Sequence, residues 1–193
     1  MRKSVLASVL LASLTFAGAA NATLIGVKSV TITNAINQYL QVSEFQAFQT
    51  GTGSNVALAS SGAIASTTSG TWDGNSTPGK AIDGAYSNLN FPNMYHNAQG
   101  TTGNLTITFA AVDNLDSFTI YGRSDCCSER DIYNVSFFGV NGNLLYTAKS
   151  VDATNAQHMA NRALPEPGSI ALFGLGLAGL AGVSSARRRK QQG

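Results

Sequence analysis

Six short runs in which apolar and polar residues alternate constrain the fold of this chain more than any other feature. β-Branched and aromatic residues dominate them, and turn residues such as Asn141-Gly142-Asn143 separate them. The runs are residues 27–33, 40–48, 104–110, 115–122, 132–140 and 143–148. No convincing period of 3.6 accompanies them, and alternation is typical of strands that bury one face. The sequence therefore predicts an all-β sandwich of the jelly-roll kind.

The first 22 residues have the layout of a secretory signal peptide. Arg2 and Lys3 precede a short apolar run that finishes in Ala20-Asn21-Ala22. The run is shorter than the ~20 apolar residues that a membrane span prefers, which argues against a transmembrane helix here. We therefore predict a signal helix over residues 1–22, removed after export.

The C-terminal segment, residues 164–193, combines three features in a fixed order. A Pro-Glu-Pro motif is followed by the apolar segment 170–183 and then by four basic residues, 187–190. An apolar helix with a basic end predicts an inner-membrane anchor whose tail stays in the cytoplasm. This order resembles the PEP-CTERM sorting signal of Gram-negative surface proteins. The resemblance implies processing by an exosortase, a final place at the cell surface or outside the cell, and a recognition motif formed by Pro165, Glu166 and Pro167.

Residues 23–163, between these two segments, are predicted to form one domain with its own charge balance. The whole chain has a formal charge of +2, but six of its twelve basic residues lie in the terminal segments. The domain keeps six basic and nine acidic residues, a net charge of −3. A mildly acidic domain without a basic stripe is a poor match for nucleic acid, so we predict no nucleic-acid partner.

The two cysteines of the chain, Cys126 and Cys127, are adjacent in a loop predicted over residues 123–131. Adjacent Cα atoms lie only ~3.8 Å apart, and a bond between neighbours closes almost no loop, so this pair cannot staple the fold. The cysteines are too few, even with a histidine, for a structural zinc site. A disulfide, free thiols and a link between chains all remain open on this reasoning.

A wider pattern surrounds this loop. His96, in a loop predicted over residues 87–103, is followed after 26 intervening residues by Arg123-x-Asp125, and four more intervening residues separate Asp125 from Arg130. This spacing, with the paired cysteines inside it, resembles the signature of F-type lectins, the fucose-binding branch of the galactose-binding-like (discoidin) jelly rolls. The resemblance covers roughly residues 55–148.

The resemblance implies a role for each of these residues. His96, Arg123 and Arg130 would hydrogen-bond a fucose-like sugar, and guanidinium groups suit this because they present several donors in a fixed geometry. Asp125 would hold Arg123 in position. An oxidised Cys126–Cys127 pair would offer a small apolar plate to the sugar. Without the resemblance, the arginines would be interpreted as solvated ion pairs and His96 as an exposed loop residue.

The resemblance extends upstream to KAIDGAYS, residues 80–87, which is similar to the A-x-DG element of discoidin-like domains. Members of that family often hold a structural calcium ion there, which would place Asp83 among its ligands. No other cofactor is expected. Phe91 and Tyr95 are candidate walls for the sugar's methyl group, whereas Asp131 departs from the family, which usually has an apolar residue after the second arginine.

An enzyme is not expected. Glycoside hydrolysis needs two facing carboxylates, whereas the acidic residues here are scattered or lie beside arginines that would lower their pKa. No Ser-His-Asp signature or phosphate-binding loop is present either. We therefore predict an exported surface or matrix protein that binds carbohydrate in an exopolysaccharide or biofilm context. The alternative is a structural matrix protein that uses the jelly roll as a scaffold and binds no sugar.

Overall fold

A computed structural model describes residues 23–98, 100 and 102–165 of the chain. This part is all-β, as predicted, and contains no α-helix. The strands are β1 (Leu24–Asn34), β2 (Gln41–Val42), β3 (Glu44–Gln49), β4 (Ile64–Ser66), β5 (Tyr95–His96), β6 (Asn104–Tyr121), β7 (Ile132–Gly139), β8 (Leu144–Asp152) and β9 (Met159–Ala163). Short 3-10 helices occupy Ala59–Ser61, Pro78–Ile82 and Ser128–Arg130. The predicted signal helix and C-terminal hydrophobic helix lie outside the described residues.

Strand β6 organises the sheet. Seven strands form one antiparallel sheet in the order β3-β6-β1-β7-β8, and β4 and β9 also pair with β6. The first part of β6 pairs with β1 and β4, and its last part pairs with β3 and β9. Strands β2 and β5 form a separate antiparallel pair. One long strand therefore carries most of the pairing in the described domain.

The sequence prediction of two strands over residues 104–122 is wrong, because β6 is continuous. The expected turn near residues 111–114 contains neither glycine nor proline, and the chain stays extended through it. Ser29 of β1 pairs with Thr108 of β6, but Val27 pairs with Asp113, so extra residues of β6 form a bulge between these pairs. A bulge bends a strand without ending it, which explains the missing turn.

The core follows the alternation in the sequence. Every second residue in the middle of β1 is fully buried, Val30 and Ile32 among them, and β7 alternates in the same way. Aromatic rings connect the strands, since Phe118 of β6 lies 5.8 Å from the Phe45 ring and 5.5 Å from the Phe137 ring, centroid to centroid. Each such side chain contributes roughly 1.5–3 kcal/mol by leaving water. This core fixes the strand ends from which the loops project.

Two loop predictions have different outcomes. The segment between β6 and β7 is a loop, as expected, and contains the 3-10 helix Ser128–Arg130. The segment 87–103, expected to be a loop throughout, contains β5, which pairs Tyr95 and His96 with β2. His96 is therefore held by a strand and is only 4% exposed.

Candidate functional site

Four of the residues singled out in the sequence, Phe91 among them, lie around one cavity of about 260 Å³. His96 comes from β5, whereas Arg123 and Arg130 come from the two ends of the loop between β6 and β7. Aromatic side chains from three other segments complete the wall. The lining residues are Tyr39, Trp72, Phe91, His96, Arg123 and Arg130.

Arg123 is held by several neighbours. Its Nε and Nη2 atoms donate to the two carboxylate oxygens of Asp125 at 2.7 and 3.0 Å, and Nη1 donates to Gln41 Oε1 at 3.2 Å. The guanidinium carbon lies 5.2 Å from the centroid of the Phe91 ring. The hydrogen bonds from Arg123 hold the pKa of Asp125 below its usual range, so this carboxyl is ionised at neutral pH. A bidentate pair of this kind fixes the plane of the guanidinium group.

The guanidinium group of Arg130 makes fewer contacts with the protein than that of Arg123. Its guanidinium carbon lies 5.7 Å from the Tyr39 ring centroid, and its Nε faces the exposed Glu129 carboxylate at 3.5 Å. Within the described part of the chain, its two Nη atoms donate no hydrogen bond to protein. The Asn34 amide donates to the backbone carbonyls of both Tyr39 and Arg130, at 3.0 and 2.8 Å. Arg130 is therefore positioned through its backbone and has free donors at the cavity.

His96 presents an acceptor. Its Nδ1 lies 2.9 Å from the backbone carbonyl of Asn97, which can only accept, so Nδ1 carries a proton. Burial is the main cause that lowers the His96 pKa, and the charges of Arg123 and Arg130 lower it further. The ring is therefore neutral at pH 7, and Nε2 is free of a proton. Donors from the arginines and an acceptor from His96 are the complement of a ligand that carries hydroxyl groups.

The aromatic residues form a connected group around His96. The Trp72 ring lies 5.0 Å from the His96 ring and 5.7 Å from the Tyr39 ring, and Phe91 meets His96 edge-on at 6.2 Å. Trp72 is 46% exposed, which is unusual for so large an apolar side chain. Sequence reasoning missed both Trp72 and Tyr39. One signal could have found the first: Trp72 is the only tryptophan and stands in a polar loop.

The two cysteine sulfurs are bonded to each other. Cys126 is exposed and Cys127 is half-buried, and the Cys127 carbonyl accepts a long hydrogen bond of 3.5 Å from the Gln41 amide. Neither cysteine belongs to the residues of the described chain that line the cavity. The disulfide therefore lies in the loop that joins the two arginines, and the aromatic rings supply the apolar surface of the wall.

The structure places two other residues singled out in the sequence, Tyr95 and Asp83, away from the cavity. Tyr95 is fully buried, and its hydroxyl contacts Thr67 at 2.6 Å, so it forms no wall of the cavity. Asp83 lies outside the cavity; one carboxylate oxygen accepts the Ala85 N–H at 2.9 Å, and the other lies 3.8 Å from the Lys80 ammonium. Among the described residues, no group of three or more His, Cys, Asp or Glu side chains could hold a metal. Asp83 therefore takes no part in the cavity.

Comparisons with known proteins identify the C-terminal end. Residues 163–190 match the PEP-CTERM protein-sorting motif, and this range contains the Pro-Glu-Pro sequence. No curated protein and no solved structure matches the chain. In residues 23–98, 100 and 102–165, no helix is long and apolar enough to cross a membrane. The chain therefore carries the sorting signal of a protein that is exported, anchored in the membrane, cleaved by an exosortase and placed on the cell surface.

Proposed function

We propose that the domain is a discoidin-like jelly roll that binds carbohydrate in the cavity between Arg123 and Arg130. The observation that carries this proposal is the convergence of two guanidinium groups, one neutral imidazole and three aromatic rings on a single cavity. Small-molecule sites combine apolar walls with a few convergent polar groups in this way. Binding without catalysis is the proposed activity, and the ligand class is a fucose-like deoxy-sugar in a glycan or exopolysaccharide.

The donors and acceptors of the cavity suit sugar hydroxyls. The free Nη donors of Arg130 can hydrogen-bond two neighbouring sugar oxygens, and His96 Nε2 can accept from a third hydroxyl. The rings of Trp72 and Phe91 can cover the C–H face and the methyl group of a deoxy-sugar, which are apolar. A deoxy-sugar therefore satisfies both the polar and the apolar parts of the wall.

The charge balance favours a neutral ligand over an acidic one. The charge of Arg123 is offset by Asp125 at 2.7 Å, and that of Arg130 is partly offset by Glu129 at 3.5 Å. The two arginines therefore leave little net positive charge to select an anion. Hydrogen bonding, rather than ion pairing, would then provide the recognition.

The direction of the chain supports display on a surface. Asp116, near the middle of β6, accepts hydrogen bonds from the Thr23 hydroxyl at 2.9 Å and from the Leu164 N–H at 2.8 Å. The strand then runs five residues further, about 17 Å, before it reaches the loop that carries both arginines. The sorting motif therefore begins about 17 Å along the strand from that loop, and many weak sites on one surface would gain avidity.

Glycan-array binding by the purified, oxidised protein tests this proposal. We expect binding to fucosylated glycans, with losses of about tenfold or more in Arg130→Ala and Trp72→Ala, because each removes a direct contact. Matched controls are Arg162→Ala on β9 and Tyr86→Ala, whose side chain is 50% exposed and stacks on Tyr121. Both controls should bind as the wild type does.

Two results would contradict the proposal. Binding that survives both cavity variants would assign the sugar to another surface. If well-folded protein binds no glycan with calcium present, the alternative function applies, which is that of a structural matrix protein that binds no sugar. Calcium at Asp83 stays a prediction, and no part of the proposed binding requires it.

A further inference from the structure

The Asp131 carboxyl group lies at the base of the loop that carries both arginines, and it is fully buried. Its Oδ2 accepts the backbone N–H of Arg123 at 2.7 Å, and it occupies the space that a side chain at position 122 would need. That position is Gly122, so the carboxyl group can press against the backbone. Its Oδ1 has no hydrogen-bond partner within the described residues.

The backbone of Asp131 is also fixed. Its N–H donates to the Ser128 carbonyl at 3.0 Å, and its own carbonyl accepts the N–H of Ala153 at 2.9 Å. The side chain reaches back across the loop to Arg123, so one residue joins the first and the last positions of the segment 123–131. Arg123 begins this segment and Arg130 stands next to Asp131. The hydrogen bond from Arg123 N–H to Asp131 therefore sets the separation of the two arginines.

We propose that Asp131 is a positioning residue of the carbohydrate site and that its protonation favours the closed loop, in which Asp131 accepts the Arg123 N–H, so that sugar binding weakens as the pH rises towards neutrality. This inference rests on the carbohydrate binding proposed above. It adds a residue that does not touch the ligand, together with a pH dependence that the cavity residues alone do not predict.

The electrostatics of the pocket support this direction. Burial raises the pKa of Asp131 to about 7, against the opposing effect of the Arg123 N–H. The charged and titratable groups that act on it are Arg123, Tyr133 and Glu129. Three more lie on neighbouring positions: Arg130 precedes it in the chain, Asp152 of β8 pairs with Ile132, and the carbonyl of His158 accepts the Gly122 N–H. The nearby Tyr133 hydroxyl and the Arg123 charge lower its pKa, and Glu129 raises it. In the structure the Tyr133 hydroxyl donates to the Gln41 carbonyl at 2.7 Å.

The two protonation states differ in the charge that they bury, because Oδ1 has no hydrogen-bond partner in either state within the described residues. A neutral carboxyl group keeps a carbonyl oxygen for the Arg123 N–H and buries no charge. A carboxylate buries a charge, which is costly. In an open loop the carboxylate would be hydrated and its pKa would return to ~3.9. Opening therefore becomes easier by up to about tenfold for each pH unit between roughly 4 and 7.

The test compares the purified wild type with Asp131→Asn and Asp131→Ala. The affinity for L-fucose is measured by calorimetry from about pH 5.5 to pH 8.5, and the Arg123 amide resonance is followed by NMR without sugar. We expect the wild-type affinity to fall at least roughly threefold over this range, because the closed population falls. The amide should titrate with a midpoint near the Asp131 pKa of about 7. His96 would change the affinity in the opposite direction, because protonation below its lowered pKa removes the acceptor at Nε2 and weakens binding at acidic pH.

The variants separate positioning from charge. In Asp131→Asn the amide oxygen can still accept from Arg123, so binding should be retained at the acidic level and should lose its pH dependence. In Asp131→Ala the acceptor is gone, and affinity should fall about tenfold at every pH. Asp131→Asn is nearly isosteric with the wild type. It therefore still tests the pH dependence of binding if Asp131→Ala does not fold.

The outcomes also distinguish this inference from the proposed function. An Arg123 amide that shows no titration near pH 7 in the wild type, or the same titration in Asp131→Asn, would overturn the inference whether or not sugar binds. An amide that titrates only in the wild type, with no L-fucose binding by any variant, would support the loop mechanism and count against the sugar.

Discussion

At the residue scale, the cavity depends on side chains that hold other side chains in place. The pairing of Asp125 with Arg123 spans two residues, and an Arg-x-Asp sequence predicts it directly. The Asn34 amide instead donates to a backbone carbonyl 96 positions away, and no sequence pattern predicts such a partner. Trp72 was missed for the same reason, because a loop residue takes its neighbours from the fold.

Gly122 provides a prediction at this scale. A Cβ at this position would contact Cβ, Cγ and Oδ2 of Asp131, which cannot withdraw because its backbone is fixed. We expect Gly122→Ala to lower the free energy of unfolding by about 1–3 kcal/mol, a typical cost of overpacking. Urea denaturation monitored by fluorescence measures it.

Gly74→Ala is the matched control for Gly122→Ala. A Cβ at Gly74 would meet no atom within 4 Å, and its backbone does not require glycine. The control should stay within about 0.5 kcal/mol of the wild type. Equal stability of the two variants would mean that Asp131 does not press against Gly122.

At the element scale, β6 is a single continuous strand from Asn104 to Tyr121. The alternation predicted its two halves correctly as β structure, but the continuous strand depends on a bulge opposite β1. The Lys28 ammonium donates to the carbonyls of Phe109 and Ala110 in this bulge, at 2.6 and 3.0 Å. A bulge disrupts the ladder of backbone hydrogen bonds, so the Lys28 ammonium supplies donors to carbonyls at this point.

Replacing Lys28 with methionine should therefore destabilise the domain. The variant removes two hydrogen bonds from a charged donor while keeping a long side chain, and we expect a loss of about 1–2 kcal/mol. Thermal and urea unfolding both measure it. The control is Lys149→Met on the exposed side of β8, which should change stability by less than about 0.5 kcal/mol. A loss no larger than that of the control would contradict a role for Lys28 at the bulge.

At the scale of the whole molecule, two buried carboxyl groups set the pH dependence of stability. Glu44 of β3 is fully buried, and its Oε2 accepts the Gly84 N–H at 3.2 Å. Burial is the main cause that raises its pKa from 4.5 to about 8, and burial likewise raises the pKa of Asp131 to about 7. Both groups therefore bind a proton more tightly in the folded chain than in the unfolded one.

The sign of the effect follows from this difference. Between the unfolded and folded pKa values, the folded chain holds protons that the unfolded chain has released, so raising the pH favours unfolding. We expect the free energy of unfolding to fall from about pH 5 to pH 8, by up to about 1.4 kcal/mol per pH unit for each group. Urea unfolding at a series of pH values measures this slope.

Glu44→Gln tests the contribution of that residue, because the amide oxygen can still accept from Gly84. The slope above pH 5 should become shallower in this variant. Asp152→Asn is the control, since the pKa of Asp152 is lowered and its effect on stability is confined to acidic pH. Stability that stays constant or rises from pH 5 to pH 8 would show that these carboxyl groups are ionised in the folded protein.

The sequence by itself determined the features that depend on local order. Strand alternation follows from a period of two along the chain, and the sorting signal is read as a linear segment, so both could be predicted without coordinates. The two arginines could be singled out because their spacing from His96 and Asp125 resembles a known binding signature. The structure alone decided that β6 is continuous, that Tyr39 and Trp72 join His96 at the cavity, and that Asp131 closes the loop beneath it. These depend on contacts between distant segments, and such contacts exist only once the core has fixed the strand ends.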